Sequence, residues 1–175
     1  MRDLLILRHG ETVWNREGRL QGSLDAPLTA RGRVQAARQG AILRRLGGTW
    51  PVLCSPQGRA VATAALAGLR PELDPALREI ELGRLEGTVA DGFDLAPGLR
   101  WKFDAPGGEG QAAFLSRIDG FLARCPARAI LVTHGVVCIG LRGRLAGLPV
   151  ADWDGLRDWQ GVVYRVGDHD EAVLS

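Results

Sequence analysis

LLILRHG, at residues 4–10, places four consecutive apolar side chains directly before an arginine, a histidine and a glycine. A short apolar run of this kind is typical of a strand that is buried on both faces of a parallel sheet. Two further runs end in the same way. VLC at residues 52–54 stops at Ser55-Pro56, and AILV at residues 129–132 stops at Thr133-His134-Gly135. We therefore expect three buried strands, each followed at once by polar residues.

Two segments with helical spacing lie between the first runs. The first is expected to begin after Thr29, a favourable N-cap residue, and to end at Gly47-Gly48. The second begins after Pro56 and is rich in alanine through Leu69. The apolar side chains with helical spacing in the first helix are Val34, Ala37, Ala41 and Ile42.

The second half of the chain continues this alternation. A third helix is predicted from about Gln111 to Arg124, and a fourth from Gly135 to near Gly147. One face of the third helix carries Phe114, Leu115, Ile118, Phe121 and Leu122. A last strand is expected at residues 162–166. Strands that alternate with helices predict an α/β fold, a three-layer sandwich with a mostly parallel central sheet covered by helices.

Length and composition set the class of protein. The 175 residues, 46% of them hydrophobic, suit a single domain over residues 1–175, with one irregular segment at about residues 84–110 that we interpret as a short lid. No apolar stretch approaches the roughly 20 residues of a membrane span. Three cysteines suit free thiols in a reducing compartment, so we expect a cytoplasmic protein. The oligomeric state stays open.

The charge pattern bears on the partners of the chain. The formal net charge is +2, and Lys102 is the sole lysine, so arginine carries nearly all of the positive charge. The arginines are scattered and form no basic run, which argues against a nucleic-acid partner and against a membrane partner.

The polar residues after the three runs are the candidates for chemistry. In open α/β sheets, ligands bind at the carboxyl ends of the strands, so these segments should converge on one pocket. They bring His9, His134 and Arg8 together with Arg59, which lies one turn into the following helix. Imidazoles among guanidinium groups suit an anion, and a phosphoryl group fits such a site. Helix N-termini after Pro56 and Gly135 would add N–H donors.

Two other interpretations of these residues were considered. A lone histidine at a strand end is more often a hydrogen-bonded structural residue, but two histidines at two strand ends favour a site. His9-Gly10-Glu11 has the His-x-Glu pattern of a zinc deaminase, yet the Cys-x-x-Cys that accompanies it there is missing. No cluster in the sequence has the spacing of metal ligands, so we expect neither a catalytic metal nor a cofactor. His169, in a polar tail, is expected at the surface.

Several motifs in collinear order resemble the histidine phosphatase superfamily, also called phosphoglycerate mutase-like. They run from LRHGETVWNREGRLQG at residue 7 through SPQGRAVATA, LREIELGRLEG and PGGEG to VTHG at residue 132. Arg-His-Gly alone would be weak evidence, whereas five motifs in order are specific. The resemblance implies a phosphorylated histidine as the intermediate of the reaction.

The resemblance also implies a role for each matching residue. His9 matches the nucleophile, and the residues that match the clamp on the phosphoryl oxygens are Arg8, Arg59 and His134, with Asn15 as a further phosphate contact. Glu79 matches the proton donor and acceptor. It has rivals in the same segment: Glu86 matches a more structural position, and Glu81 is expected to be solvated.

Two more positions bear on the resemblance. Glu109, in PGGEG, matches a position near the pocket rim, although a charge in the first turn of a helix is an equally good interpretation. Cys54 stands where the family commonly has serine, close enough to the site for a thiol reagent to act as an inhibitor.

The proposed reaction follows from the length of the lid segment. Only about 28 residues separate Gly83 from Gln111, whereas mutases of this family carry a longer insert over the substrate. A mutase must shield its phosphorylated intermediate from water, so a short lid favours metal-independent hydrolysis of a small phosphorylated metabolite. The alternatives are phosphoglycerate mutase-type transfer, an α-ribazole phosphate phosphatase, a phosphoprotein phosphatase and a non-catalytic module that binds a phosphorylated ligand. Specificity is expected to depend on residues 88–102, including Phe93, Arg100 and Trp101, and on Trp14.

Overall fold

The computed structural model describes residues 2–90, 98–167 and 170–175 of the chain. Its six-stranded sheet has the order β3-β2-β4-β1-β5-β6. The strands are β1 (Asp3–Arg8), β2 (Val52–Cys54), β3 (Glu72–Leu73), β4 (Arg128–Thr133), β5 (Val163–Gly167) and β6 (Glu171–Leu174). β1, β2, β3 and β4 pair in parallel, whereas β5 and β6 are antiparallel to their neighbours. The mostly parallel sheet is confirmed.

The strands predicted from apolar runs are present. β1, β2 and β4 cover the three runs, and β5 lies one residue later at each end than predicted. The short strands β3 and β6 were not predicted, because both of them carry mostly exposed side chains at the two edges of the sheet. They are strands because they pair with β2 and β5, and no local apolar pattern predicts that pairing.

The sheet is covered by helices. Their bounds are α1 (Val13–Arg16), α2 (Ala30–Leu46), α3 (Gly58–Leu66), α4 (Arg100–Phe103), α5 (Gln111–Arg124) and α6 (Gly135–Leu145). Thr29 caps α2 as predicted, since its side chain accepts a hydrogen bond from the Gly32 N–H. α3 ends at Leu66, three residues earlier than expected. The bounds predicted for α5 are confirmed.

The buried face of α2 differs from the prediction. Val34 is 68% exposed and Ala37 is also exposed, so these two residues do not face the core. Ile42 is buried as predicted, and most of the other buried residues of the helix are small. A Cβ on Gly40 would lie 2.4 Å from the carbonyl oxygen of Ala67, so the two backbones can approach this closely only at a glycine. Apolar spacing alone missed the part of this face that is built from glycine, alanine and glutamine.

Apolar side chains pack on both faces of the sheet. In β1, Leu4 and Ile6 join the cluster under α5 and α6, whereas Leu5 and Leu7 join the cluster under α2 and α3. Alternate residues of a strand point to opposite faces, so a strand buried on both sides reads as a continuous apolar run. The three-layer α/β sandwich is confirmed.

The segment interpreted as a lid carries α4, and a 3₁₀ turn at Gly83–Leu85 leads into it. Further 3₁₀ turns lie at Pro75–Leu77 and Val150–Gly155. Phe103 anchors α4 because its ring is buried and lies 5.5 Å from the ring of Phe114 in α5. Residues 91–97, with Phe93, and His169 lie outside the described residues. Over the described ranges, no helix is long and apolar enough to cross a membrane.

Candidate active site

The three polar strand ends meet at one edge of the sheet. β1 and β4 pair so that Arg8 lies beside Thr133, and β2 pairs with β4 so that Cys54 lies beside Val132. The segments after these strands therefore surround one cavity. The cavity is lined by Arg8, His9, Asn15, Arg19, Leu20, Gln21, Gly22, Arg59, Glu79, Ile80, Leu82, Lys102 and Val136.

His9 has a defined tautomer. Its side chain is 2% exposed, and Nδ1 lies 2.8 Å from the carbonyl oxygen of Gly10. Because a carbonyl can only accept, Nδ1 carries the proton and Nε2 keeps its lone pair. Burial lowers the pKa of His9 well below 6.5, and the charges of Arg8 and Arg59 lower it further. A neutral imidazole with a free Nε2 lone pair is a nucleophile.

Gly10 is held by its neighbours. Its N–H donates to the hydroxyl of Thr63 at 3.0 Å. A Cβ at this position would lie 2.2 Å from the carbonyl oxygen of Gly32, so a side chain cannot fit there. The carbonyl that orients His9 is therefore fixed by a contact between two backbones.

Arg8 lines the cavity, and Asp158 holds one end of its guanidinium group. Its Nη1 donates to both the backbone oxygen and the Oδ2 of Asp158, at 2.9 and 2.7 Å. Its Nε is buried and has no hydrogen-bond partner among the described residues. A buried guanidinium N–H without a partner costs free energy unless a ligand accepts its hydrogen bond.

Arg59 is buried and almost fully bonded. Four of its five N–H groups donate to the carbonyls of Gly22 and Leu24, to Oδ1 of Asp25 and to Nδ1 of His134. One N–H on Nη2 remains for a ligand. The bonded guanidinium is held rigidly, so its charge is fixed at the cavity wall.

His134 lies behind the cavity wall. Its Nδ1 accepts from Arg59 Nε at 3.1 Å, which places its proton on Nε2, and Nε2 donates to the Ser55 hydroxyl at 2.7 Å. Its ring centroid lies 5.2 Å from that of His9. Burial lowers the pKa of His134 well below 6.5, helped by Arg59. Both ring nitrogens are thus occupied by protein partners, and the expected contact of His134 with a phosphoryl group stays a prediction.

Glu79 lines the cavity at the N-terminus of α6. Its carboxylate accepts hydrogen bonds from the N–H groups of Ile80, Val136 and Val137, at 3.0 to 3.3 Å. Gln57 holds the backbone, because its Oε1 accepts from the Glu79 N–H at 2.8 Å. The carboxylate is therefore oriented, and it faces the same cavity as His9.

The three other acidic candidates lie elsewhere. Glu86 accepts hydrogen bonds from Ser23 and from the Leu82 N–H, which are structural contacts. The Glu81 side chain is 46% exposed and pairs weakly with Arg78, as expected for a solvated group. Glu109 forms a bidentate ion pair with Arg117 and does not line the cavity.

Asn15 lines the cavity with its amide fixed. Its Oδ1 accepts from the N–H of Thr12 and from Nε2 of Gln160, both at 3.1 Å. A backbone N–H can only donate, so the amide oxygen must face Thr12. The amide nitrogen is left as the donor for a ligand, as a phosphate contact requires.

Three polar residues of the cavity were not singled out from the sequence. They are Arg19, Gln21 and Lys102. Arg19 and Gln21 belong to the GRLQG stretch of the first motif, so their place in that motif could have indicated that they lie at the site. Burial lowers the pKa of Lys102, and the charges of Glu79 and Asp158 oppose that shift. Lys102 ends the range of residues 88–102 that was expected to set specificity, and it is the described residue of that range that lines the cavity.

The residues expected to set specificity contribute less to the cavity than predicted. The Arg100 side chain is 87% exposed and pairs with Asp104, and Trp101 packs partly buried against the core. The guanidinium carbon of Arg19 lies over the Trp14 ring, 5.5 Å from the centroid of that ring. None of the three lines the cavity.

Across residues 2–90, 98–167 and 170–175, no group of three or more histidine, cysteine, aspartate or glutamate side chains lies close enough to hold a metal ion. That the reaction needs no metal stays a prediction.

Comparison with known proteins agrees with this geometry. A family model described as the histidine phosphatase superfamily (branch 1) matches residues 4–171. A probable phosphoglycerate mutase of Salmonella paratyphi C is 35% identical over 166 residues, covering 85% of this chain and 77% of that protein. Two of the similar solved structures each cover 99% of this chain. One is a phosphoglycerate mutase from Thermus thermophilus, with 40% identity, a TM-score of 0.79 and 98% of its own chain covered. The other is a putative α-ribazole-5′-P phosphatase from Escherichia coli K-12, with 30% identity, a TM-score of 0.82 and 95% covered.

Proposed function

Because the chain belongs to the histidine phosphatase superfamily, we propose that it hydrolyses phosphate monoesters of a small metabolite through a phosphohistidine on Nε2 of His9. One observation carries this proposal. His9 is buried and neutral, its proton is fixed on Nδ1 by Gly10, and its Nε2 lone pair shares a cavity with the guanidinium groups of Arg8 and Arg59.

In the first step, Nε2 of His9 attacks phosphorus in line, and the bond between phosphorus and the ester oxygen breaks. The leaving oxygen takes a proton from the carboxyl group of Glu79, which enters this step in its protonated form. Arg8, Arg59 and Asn15 donate hydrogen bonds to the phosphoryl oxygens, which is the positioning and charge stabilisation that phosphoryl transfer needs. The imidazole ring gains positive charge as the Nε2–phosphorus bond forms, and the Gly10 carbonyl stabilises that charge through Nδ1–H.

In the second step, Glu79 accepts a proton from water as the water oxygen attacks phosphorus. The Nε2–phosphorus bond breaks, inorganic phosphate leaves, and His9 returns to its neutral form. Two easier steps thus replace one difficult hydrolysis, and one carboxyl group serves both.

Hydrolysis is proposed over mutase transfer because of the short segment between Gly83 and Gln111. Gln111 follows Gly83 by only 28 positions, so few residues are available to cover a phosphorylated intermediate. Water that reaches phosphohistidine releases phosphate. The relatives carry both kinds of name, so phosphoglycerates and α-ribazole phosphate are the first metabolites to assay.

The test is a chemical trap combined with a product assay. With ³²P-labelled substrate and an alkaline quench, we expect acid-labile label on the wild-type protein and none on His9→Ala. We also expect turnover of p-nitrophenyl phosphate between pH 5 and 8 in the presence of EDTA. Label retained by His9→Ala would overturn the assignment of the nucleophile.

The products separate the alternatives. With 3-phosphoglycerate, faster formation of 2-phosphoglycerate than of inorganic phosphate would show a mutase. Phosphate binding without turnover on any monoester would show a module that only binds a phosphorylated ligand.

A further inference from the structure

Residues 158–160, between the 3₁₀ turn at Val150–Gly155 and β5, contact two of the cavity side chains from behind. Asp158 accepts both Nη1 hydrogen bonds of Arg8, and Gln160 donates to Oδ1 of Asn15. Neither Asp158 nor Gln160 lines the cavity. One three-residue segment thus bonds to two groups that the proposed function assigns to the phosphoryl oxygens.

The Asp158 contact decides which N–H groups Arg8 offers. Both hydrogens of Nη1 are used, at 2.9 Å to the backbone oxygen and 2.7 Å to the carboxylate. The N–H groups of Nε, which is buried, and of Nη2 are left without a partner in the described part of the chain. A long arginine side chain held at one nitrogen loses its rotamer freedom before a ligand arrives, so binding does not have to supply that ordering.

The Gln160 contact decides which end of the Asn15 amide meets a ligand. With Oδ1 accepting from both Thr12 and Gln160, the amide presents its NH₂ group. If the amide were reversed, its oxygen lone pairs would face the phosphoryl oxygens and repel them. Gln160 therefore opposes the reversal, together with Thr12.

The segment is itself anchored by buried groups. The N–H of Trp159 donates to the hydroxyl of Tyr164 at 2.6 Å, and the Arg142 side chain bonds to the carbonyl of Arg157 at 2.5 Å. Arg142 is 3% exposed, and its guanidinium carbon lies 3.9 Å from the centroid of the Tyr164 ring. It also forms a bidentate ion pair with Glu171 of β6. The anchor connects the segment to the core and to the edge strand.

We propose that residues 158–160 are a positioning segment, in which Asp158 and Gln160 set Arg8 and Asn15 as donors toward the phosphoryl oxygens without touching the substrate. This inference rests on the proposed function. It explains why a carboxylate stands next to an anion site, since Asp158 directs its charge at Arg8.

The test uses Gln160→Glu, a change of nearly equal shape that replaces the donor by an acceptor. A carboxylate cannot donate to Oδ1 of Asn15, so the Asn15 amide loses the hydrogen bond from residue 160 that fixes its orientation. We expect the affinity for inorganic phosphate, measured as competitive inhibition and by calorimetry, to fall about tenfold. KM should rise by the same factor for p-nitrophenyl phosphate and for an alkyl phosphate, because only contacts with the shared phosphoryl group change.

The same substitution in an Asn15→Ala background separates positioning from simple charge repulsion. If Gln160 acts through Asn15, Gln160→Glu should change phosphate affinity by less than about twofold there. An equal loss in both backgrounds would overturn the proposal for Gln160, since a new negative charge alone would explain it. No loss in either background would overturn it as well. Gln111→Glu, at an exposed position in α5, is the matched control and should leave affinity unchanged.

Asp158 is tested separately with Asp158→Asn. The amide oxygen can still accept from Nη1 of Arg8 but carries no charge, so we expect a smaller loss of phosphate affinity than with Asp158→Ala. Equal affinities of both variants and the wild type would overturn the positioning role. If the wild type bound phosphate and trapped phosphohistidine while these variants matched it, only this inference would fail. A wild type that neither binds phosphate nor turns over a monoester would refute the proposed function, and this inference with it.

Discussion

Thr63 holds the backbone of Gly10, because its Oγ1 accepts a hydrogen bond from the Gly10 N–H at 3.0 Å. The same hydroxyl donates to the carbonyl of Arg59 at 2.7 Å, within α3. One buried side chain thus connects the loop that orients His9 with the helix that carries Arg59. The contact indicates that Thr63 supports the geometry of both residues.

Thr63→Val keeps the shape of the side chain and removes the hydroxyl. The buried N–H of Gly10 then has no partner, which should cost about 1–3 kcal/mol in the free energy of unfolding. A displaced Gly10 carbonyl also misorients His9, so we expect kcat to fall by about 10- to 100-fold. Urea unfolding and steady-state kinetics with p-nitrophenyl phosphate measure the two effects. Thr63→Ser keeps the hydroxyl and should restore most of the activity. Equal kinetics of the valine variant and the wild type would contradict this role.

Glu79→Gln tests the proton donor. The amide oxygen can replace Oε1, which accepts from Ile80 and Val137, so most of the local contacts are kept, although the NH₂ group cannot accept from Val136. The amide cannot protonate a leaving group. We expect kcat/KM for an alkyl phosphate to fall by about 10²- to 10⁴-fold. The loss with p-nitrophenyl phosphate should be much smaller, because nitrophenolate leaves without a proton. Equal losses with both substrates would refute the general-acid role.

Glu81→Gln is the matched control for this substitution. The Glu81 side chain is 46% exposed and lies two residues from Glu79 in the same segment. The change removes the same charge at nearly the same place in the chain. We expect no difference from the wild type with either substrate, so a leaving-group effect confined to Glu79→Gln would belong to that carboxyl group.

The sequence predicted the elements whose pattern is local. β1 and β4 are continuous apolar runs because both of their faces are buried, and α5 shows one apolar stripe because it covers one face of the sheet. The strand ends and the motifs then placed His9 and Arg59 at one cavity. These features depend on spacing along the chain, which a sequence displays directly.

The rest depends on contacts between distant residues. β6 is a strand because β5 pairs with it, and its own side chains are mostly exposed. Lys102 lines the cavity from α4, and the neighbouring Phe103 packs on Phe114 of α5. No local pattern in the sequence predicts either contact. The hydrogen bonds that occupy both nitrogens of His134 come from Arg59 and Ser55, which lie 75 and 79 residues away.

Cys54 should not react with thiol reagents in the native protein, despite its place beside the site. Its side chain is fully buried, and burial raises the pKa of the thiol to about 12. The thiolate, which is the reactive form, is therefore scarce at pH 7.5. We expect full activity after incubation with iodoacetamide and no mass shift, whereas the urea-unfolded chain should take up three labels, one for each cysteine. Inactivation that parallels a single label on Cys54 would contradict this.

The two buried histidines should make the protein less stable in mild acid. Burial lowers the pKa of both His9 and His134 well below 6.5, whereas both titrate near 6.5 in the unfolded chain. Above about pH 7.5 neither histidine binds a proton in the folded or in the unfolded state, so the two histidines add no pH dependence to the free energy of unfolding. As pH falls through 6.5, the unfolded state binds protons that the folded state does not, and the free energy of unfolding should drop by up to about 1.4 kcal/mol per pH unit for each histidine. Asp74, whose pKa the Arg124 hydrogen bond lowers from 3.8, contributes only in more acid solution. Urea unfolding between pH 4.5 and 8 measures the slope. His9→Asn should reduce it by about half, and a flat profile in the wild type would show that these imidazoles do not stay neutral in the folded protein.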